Sequence, residues 1–223
     1  MIRILHTADW HLGQTFFGYD RTKEHEAFLD WLLREIRKNE IDALIIAGDV
    51  FDVSNPSAAS QRMYYEFIYR VTAENPGLQI VIVAGNHDSA ARLEAPLPLL
   101  QAMRTEVRGV VRKLNEGEID YDHLAVELKN REGEVEVLCM AVPFLRQGDY
   151  PVVETEGNPY MEGVRELYTQ LLQRLWARRK TNQAILAIGH LQATGSEIAE
   201  KDYSERTVIG GLECVSPDTF SEK

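Results

Sequence analysis

Four apolar runs, each stopping abruptly at Asp, Asn or His, constrain this chain more than any other feature. Leu44-Ile45-Ile46-Ala47 leads into Gly48-Asp49-Val50-Phe51-Asp52, and Ile80-Val81-Ile82-Val83-Ala84 into Gly85-Asn86-His87-Asp88. Ile185-Leu186-Ala187-Ile188 leads into Gly189-His190, and Ile2-Arg3-Ile4-Leu5-His6-Thr7-Ala8 into Asp9-Trp10-His11. Short runs rich in β-branched residues read as buried strands. Parallel strands of one sheet would bring the four ends to one edge, where open α/β sheets place their ligands. A lone Asp there is most often a turn or cap residue, and a lone His more often a half-buried, hydrogen-bonded side chain. Placement at four strand ends together points to metal. His6, His25 and His123 lack that placement and read as structural or surface residues.

The rest of the chain in order suggests an alternation of strands and helices that later breaks down. Residues 2–8 read as a strand, Leu12 to Tyr19 as a loop with three aromatics, and Thr22 to Asn39 as a helix with Phe28, Leu29, Leu32, Leu33 and Ile36 at helical spacing. Ser57 is a candidate N-cap for a helix running to Ala73. That helix carries more apolar and aromatic surface than one buried stripe needs, so a subunit interface is an alternative to core. A helix over Ala91 to Arg104 is expected to break or bend at Pro96 and Pro98. Val107 to Leu114, His123 to Leu128 and Val135 to Val142 read as consecutive antiparallel strands. A polar loop over Pro143 to Pro159 precedes an amphipathic helix from Tyr160 to Arg179. Gln192 to Arg206 reads as polar and mobile, and Val208 to Leu212 as one more short strand. The expected fold is a mixed α/β one, two packed sheets flanked by helices.

At 223 residues the chain has room for one large domain or a domain with an appendage. No apolar run reaches the roughly 18 residues of a membrane span. Strand pattern begins at once, so no signal peptide is expected, and Cys139 and Cys214 sit in no metal-binding spacing; both features fit a reducing cytoplasm. A net charge of −11 argues against a protein that merely coats nucleic acid. It leaves room for an enzyme acting on it, because carboxylate ligands count in that sum.

Two divalent ions held roughly 3.5–4 Å apart can activate water and stabilise both oxygens of a phosphoryl transfer. Asp49 is the best bridge for such a pair. Asp9 and His11, two apart in an extended segment, would complete one side, with Asn86 and His190 on the other. A donor set of N and O without thiolate favours manganese, iron or zinc. His87 should hang over the site, protonating a leaving alkoxide or donating to a non-bridging oxygen. Asp52 or Asp88 would hold its ring. Arg21, Lys23, Arg104 and Arg108, with Arg112 and Lys113, are candidates for contacts to substrate phosphates.

Asp9-x-His11, Gly48-Asp49-x-x-Asp52, Gly85-Asn86-His87-Asp88 and Gly189-His190 match, in order, the motifs of the calcineurin-like metallophosphoesterases. The longer strings His6 to Gly13, Gly48 to Asp52 and Gly85 to Ser89, with Pro143-Phe144-Leu145-Arg146, resemble the SbcD-type nucleases of bacteria. The resemblance implies a manganese-dependent nuclease acting on DNA ends and hairpins, a homodimer, and a complex with an SMC-like ATPase, SbcC. It implies Asp9, His11, Asp49, Asn86 and His190 as ligands and His87 as the residue serving the leaving group or transition state. In related phosphatases the second Asp of the Gly-Asp-x-x-Asp motif orients that histidine, which selects Asp52. The family's Gly-His-x-His motif, with one ligand for each ion, does not occur in residues 1–223. The resemblance therefore implies a phosphoesterase domain incomplete at its C-terminal end, without its capping and ATPase-binding regions, and weak or absent activity of this fragment. Two other functions stay open: a phosphoesterase acting on nucleotides or phosphoproteins, and a non-catalytic dimerisation or ATPase-docking piece.

Overall fold

The computed structural model describes residues 1–193 together with 214 and 215. Strand β1 (Ile4–Thr7) is followed by a small hairpin, β2 (Thr15–Phe16) and β3 (Tyr19–Asp20), then helix α1 (Thr22–Lys38). Next come β4 (Ala43–Ala47), α2 (Ala58–Glu74), β5 (Gln79–Val83), α3 (Ala90–Glu94), α4 (Leu97–Ala102) and β6 (Thr105–Arg108). The second half supplies β7 (Ala125–Lys129), β8 (Val135–Ala141), α5 (Pro159–Arg178), β9 (Ala184–Ile188), β10 (Gln192–Ala193) and β11 (Cys214–Val215). The strand expected over Val208 to Leu212, and most of the polar stretch Gln192 to Arg206, lie outside the described residues.

One sheet has the order β1-β4-β5-β6, all parallel, and a second has the order β7-β8-β9. In the second, β7 and β8 are antiparallel while β9 runs parallel to β8. The sheets pack face to face through Ala43, Ile45, Ala47, Val81 and Val83 on one side and Val126, Leu128, Val137, Cys139, Ala141 and Ile188 on the other. The outer face of the first sheet is covered by apolar residues of α1 and α2, among them Leu29, Leu32, Ile36, Phe67, Ile68 and Val71. On α5, Val164, Leu167, Leu171 and Leu175 recur at helical spacing and cover the outer face of the second sheet. The result is four layers, helix–sheet–sheet–helix, as the mixed two-sheet reading predicts.

Two expectations need correction. The stretch beginning at Val107 does not open an antiparallel set, because β6 pairs in parallel with β5 and closes the first sheet. The four strand ends with candidate metal ligands also do not share one sheet: β9, which delivers His190, belongs to the second. The sandwich brings it over β4, so the ends still converge. The prolines do break the helix, leaving α3 and α4 as separate short pieces. Ser57 caps α2, its hydroxyl accepting from the Ser60 N–H at 3.1 Å.

Glu94 on α3 ties that helix to the segment after β6. Its Oε1 accepts the N–H groups of Gly109 at 2.8 Å and Val110 at 3.1 Å, and Arg112 lies 3.4 Å from Oε2. Burial alone would push this carboxyl up, but His123, the two N–H groups and Arg112 outweigh it and hold it at about 2, below the ordinary 4.5. A carboxylate with a depressed folded-state value stabilises above its ordinary titration range and loses that contribution as pH falls through about 4.5 to 2. Glu94→Gln is therefore expected to cost roughly 1–2 kcal/mol at pH 7, after allowance for partial solvation. The deficit should shrink toward pH 3 in denaturant unfolding of both forms; a constant deficit would show that charge is not its source.

Candidate metal centre

The strand ends are shaped by backbone that side chains usually avoid. Asp9, His11 and Asp49 have φ of 56°, 45° and 49°, and Gly48 has 90°. Non-glycine residues there are held against a local cost, and such residues cluster at functional sites. The segment after β1 is therefore not the extended one expected from the spacing of Asp9 and His11. It is pinned instead to the segment after β4: the N–H of Asp9 donates to Gly48 O at 3.1 Å, that of His11 to Asp49 O at 3.0 Å, and that of Leu12 to Val50 O at 3.0 Å. Asp88, only 2% exposed, accepts the N–H groups of Val50, Phe51 and Gly85 at 3.2, 3.0 and 2.9 Å. It thus binds the loops after β4 and β5 to each other, and does not hold the His87 ring.

Asp49 sits at the centre, 3% exposed. Its Oδ1 accepts the His87 N–H at 2.9 Å. Its Oδ2 lies 3.7 Å from His11 Nε2 and 3.5 Å from His190 Nε2. His11 Nε2 is also 4.0 Å from Asp9 Oδ1. Two donor groups emerge that share this carboxylate: His11, Asp49 and His87 in one, Asp9, Asp49 and His190 in the other. Asn86 joins the second, its Oδ1 2.9 Å from His190 Nε2.

The environment of His190 tests whether a cation suits this place. Its Nδ1 donates to the Ala47 carbonyl at 2.9 Å, so in the neutral ring Nε2 carries a lone pair. That lone pair faces the oxygens of Asn86 and Asp49, an arrangement stable only with a proton or a metal ion among them. Burial would lower the His190 pKa, yet the Asp49 carboxylate outweighs it and pushes the ring up to about 9. Burial acts to raise Asp49 in turn, and His190 and the His87 N–H hold it below the usual carboxylate range. His11 Nδ1 is buried without a hydrogen-bond partner, although Asp52 Oδ1 is 3.4 Å away. The donors fit divalent ions of the N/O-preferring kind. Cys139 lies in the sandwich core with burial pushing its thiol up to about 12, so it offers no thiolate.

His87 corrects a further expectation. Its Nδ1 meets the backbone carbonyl of Asp52 at 2.8 Å, while the Asp52 carboxylate faces His11. The ring is still held from residue 52, but by a group every residue has. His11 and His87 meet edge to face, 4.9 Å between centroids. Phe144, anchored by its N–H to Ala84 O at 2.8 Å, stands 6.3 Å from the His190 ring and carries Arg146 over its face. A cleft of about 400 Å³ opens alongside, walled by Phe51, Tyr65, Ser89 and Arg92. Phe144 and Arg146 belong to the Pro143-Phe144-Leu145-Arg146 string, and Phe51 and Ser89 to the motif strings, whereas Tyr65 and Arg92 carry no signal in the sequence.

The basic candidates fare differently. Arg108 is 7% exposed, donating to the carbonyls of His123 and Val107 and pairing with Glu106, so it is a structural cation and not a DNA contact. Arg104 precedes β6, at the sheet edge opposite the candidate metal centre, and is out of place for the same role. Arg21 is half-buried beside the site loop, bonded to Gln14 and Glu24; Lys23 is exposed.

Gly48 allows a close approach of the His190 ring. A Cβ there would run into the His190 ring, and the φ of 90° is itself unfavourable for other residues. Gly48→Ala is expected to lower stability by about 2–3 kcal/mol and to weaken divalent-ion binding, read from thermal unfolding with and without manganese. Gly18→Ala, with a similar φ of 82° and nothing near, should cost only about 1 kcal/mol. Equal losses at both positions would mean that the His190 contact contributes nothing.

The chain matches the family model of the calcineurin-like phosphoesterases over residues 2–212. Over 98% of its length it is 38% identical to the SbcD component of the SbcCD nuclease of Rhodobacter capsulatus, covering 55% of that protein. Over the same share it is 44% identical to the Bacillus subtilis protein of that name, covering 54% of it. The chain thus spans about half the length of the curated relatives it matches. Among solved structures, Pseudomonas putida nuclease MPE aligns over 51% of each chain at 22% identity with a TM-score of 0.33, a distant likeness. With the family model matched from the first strand past the last strand end of the site, the chain belongs to the calcineurin-like phosphoesterase family.

Proposed function

We propose that this chain carries the catalytic centre of an SbcD-type DNA nuclease, a hydrolase that cleaves phosphodiesters at double-strand ends and hairpins with two divalent ions, manganese foremost. The observation that carries the reading is the pair of donor groups sharing the Asp49 carboxylate. Asp9 and His11 would hold one ion with Asp49, and Asn86 and His190 the other. When bound, such ions polarise the phosphate and supply a nucleophilic water at neutral pH.

The chain's own residues do the rest. Asp49 spans the two positions and, through the His87 N–H, fixes the backbone of the residue that handles the leaving group. The Asp52 carbonyl accepts from His87 Nδ1–H, so the ring can hand a proton to a leaving group only when it is doubly protonated, with the second proton on Nε2. His190 is oriented by the Ala47 carbonyl, and that bond keeps its lone pair on the side of Asn86 and Asp49.

The relatives carry the name of one component of the SbcCD nuclease, which supports a partner ATPase of the SMC-like SbcC type. Homodimer formation is part of the same reading. Tyr69 on α2 and Leu99 on α4, 66% and 71% exposed, are apolar side chains outside the core for it to cover. The cytoplasm is the compartment this reading assigns; no helix among the described residues is long and apolar enough to cross a membrane. Residues 1–223 contain no Gly-His-x-His motif, so this stretch by itself should hydrolyse slowly.

The test uses the complete gene product, an end-labelled DNA duplex and manganese, beside a small chromogenic phosphodiester. Release of label supports the nuclease. Turnover of the small ester alone would replace it with a general phosphoesterase, and turnover of neither would remove catalysis from the reading.

A further inference from the structure

The hairpin β2–β3 follows directly on the metal-site loop and exposes three aromatic side chains: Phe16 at 60%, Phe17 at 75% and Tyr19 at 77%. Its strands pair Thr15 with Asp20 and Phe16 with Tyr19, leaving Phe17 and Gly18 as a two-residue turn. Both have positive φ, 49° and 82°, the pattern of a type I′ turn. Asn-Gly is the sequence that turn prefers, and a bulky residue at its first central position is a conformational outlier. A phenylalanine at a strained, solvent-facing position contributes nothing to the turn itself, and such local conflicts mark function.

The root of the hairpin is fixed. Gln14 N–H donates to His11 O at 2.9 Å, Arg21 Nη1 to Gln14 Oε1 at 2.5 Å, and Asp20 Oδ1 accepts the Thr22 N–H at 2.7 Å. Phe16 and Phe17 pack edge to face with centroids 4.6 Å apart, which gives the tip a set shape. About six residue steps separate His11 from Phe17, so the tip lies within about 22 Å of His11, a few nucleotide steps.

The chemistry selects the occupant. Residues 12–19 carry no charged side chain, so the tip has no cation for phosphate and what it presents is chiefly aromatic. Three partly exposed aromatics offer at most roughly 300–500 Å², below the ~800 Å² per partner of a stable protein interface. Aromatic faces of this size suit nucleobases, which stack on them regardless of sequence. We propose that the hairpin is a base-stacking pin that engages unpaired bases of the DNA strand whose phosphodiester lies at the metal centre. The proposal rests on the nuclease reading above.

The experiment places 2-aminopurine in a short single-stranded overhang of a duplex, with a second duplex carrying it in the paired interior. Both are bound to the complete gene product in a His87→Ala background with manganese. Binding should quench the overhang probe at least about twofold and leave the interior probe unchanged. Phe17→Tyr should keep the quench, while Phe17→Asn and Phe16→Ser/Tyr19→Ser should lose it. Phe17→Asn should at the same time raise Tm by about one or two degrees, since Asn tolerates this φ; a merely structural phenylalanine would not pair gain of stability with loss of quench. Equal quenching in parent and variants overturns the pin while leaving the nuclease standing. A lower Tm or altered oligomeric state in Phe17→Asn without change at the probe would assign the tip to protein contact and overturn it as well. A product that turns over only the small ester removes the nuclease reading, and the pin with it.

Discussion

Asp49→Ala is expected to reduce phosphodiester turnover at least about 10³-fold, a loss of about 4 kcal/mol or more in transition-state stabilisation. One carboxylate serves both donor groups, so its removal leaves neither complete. It also frees the His87 N–H, which Asp49 Oδ1 accepts at 2.9 Å. The metal-free fold should also lose stability, because the partners of Asp49 outweigh its burial and its removal leaves the His87 N–H and His190 without their acceptor. The variant should therefore unfold below the parent Tm without metal, and in addition fail to gain the stabilisation that manganese gives the parent. His190 supplies a second readout, since it is this carboxylate that pushes its ring up to about 9. In a metal-free NMR titration the His190 resonance should move toward the ordinary histidine range in Asp49→Ala. A variant that keeps manganese stabilisation and an unchanged His190 titration would take Asp49 out of the centre.

The residues of that centre are legible in the sequence because of where they stand, at the ends of apolar runs. Burial on both faces makes β4 read as a continuous run, and its five residues are all buried. The change from that run to Gly-Asp marks its end without any knowledge of neighbours. What sits next to what is a different kind of information. Nothing in Ile185 to Ile188 says that it pairs with β8 in place of β5, because an apolar run records burial and not its partner. The same limit hides the place of β6, whose four residues continue the first sheet. Arg108 looks like a surface cation by residue type. Its burial depends on the carbonyl of His123, fifteen positions away, and on the Glu106 carboxylate. The resemblance to related phosphatases points to the Asp52 carboxylate as the grip on His87, whereas the grip is the Asp52 carbonyl. Backbone groups leave no trace in residue identity, so local pattern can name residue 52 and still assign it the wrong atom. Asp9 and His11 do come together, but not through the alternation of an extended segment. Left-handed backbone at both, pinned to the loop after β4, joins them instead.

His87→Ala should separate chemistry from metal binding. We expect kcat to fall about 10²- to 10⁴-fold, the range for loss of a positioned proton donor, with manganese affinity and stoichiometry within a few-fold of the parent. The expectation follows from the way the ring is held. Its Nδ1 is engaged by the Asp52 carbonyl and its N–H by Asp49, so it is fixed by second partners and stands edge to face against His11. Yet His87 also lies within reach of the group formed with His11 and Asp49. Isothermal titration decides between these roles: two ions bound to the variant leave His87 as the residue over the site, and one ion makes it a ligand. The leaving group then distinguishes the two tasks open to a proton donor. If His87 protonates the departing oxygen, an activated ester with a nitrophenolate leaving group should lose far less rate than DNA, because that anion departs without a proton. If it stabilises a non-bridging oxygen, both substrates should slow by the same factor, since both pass through the same crowded phosphorus.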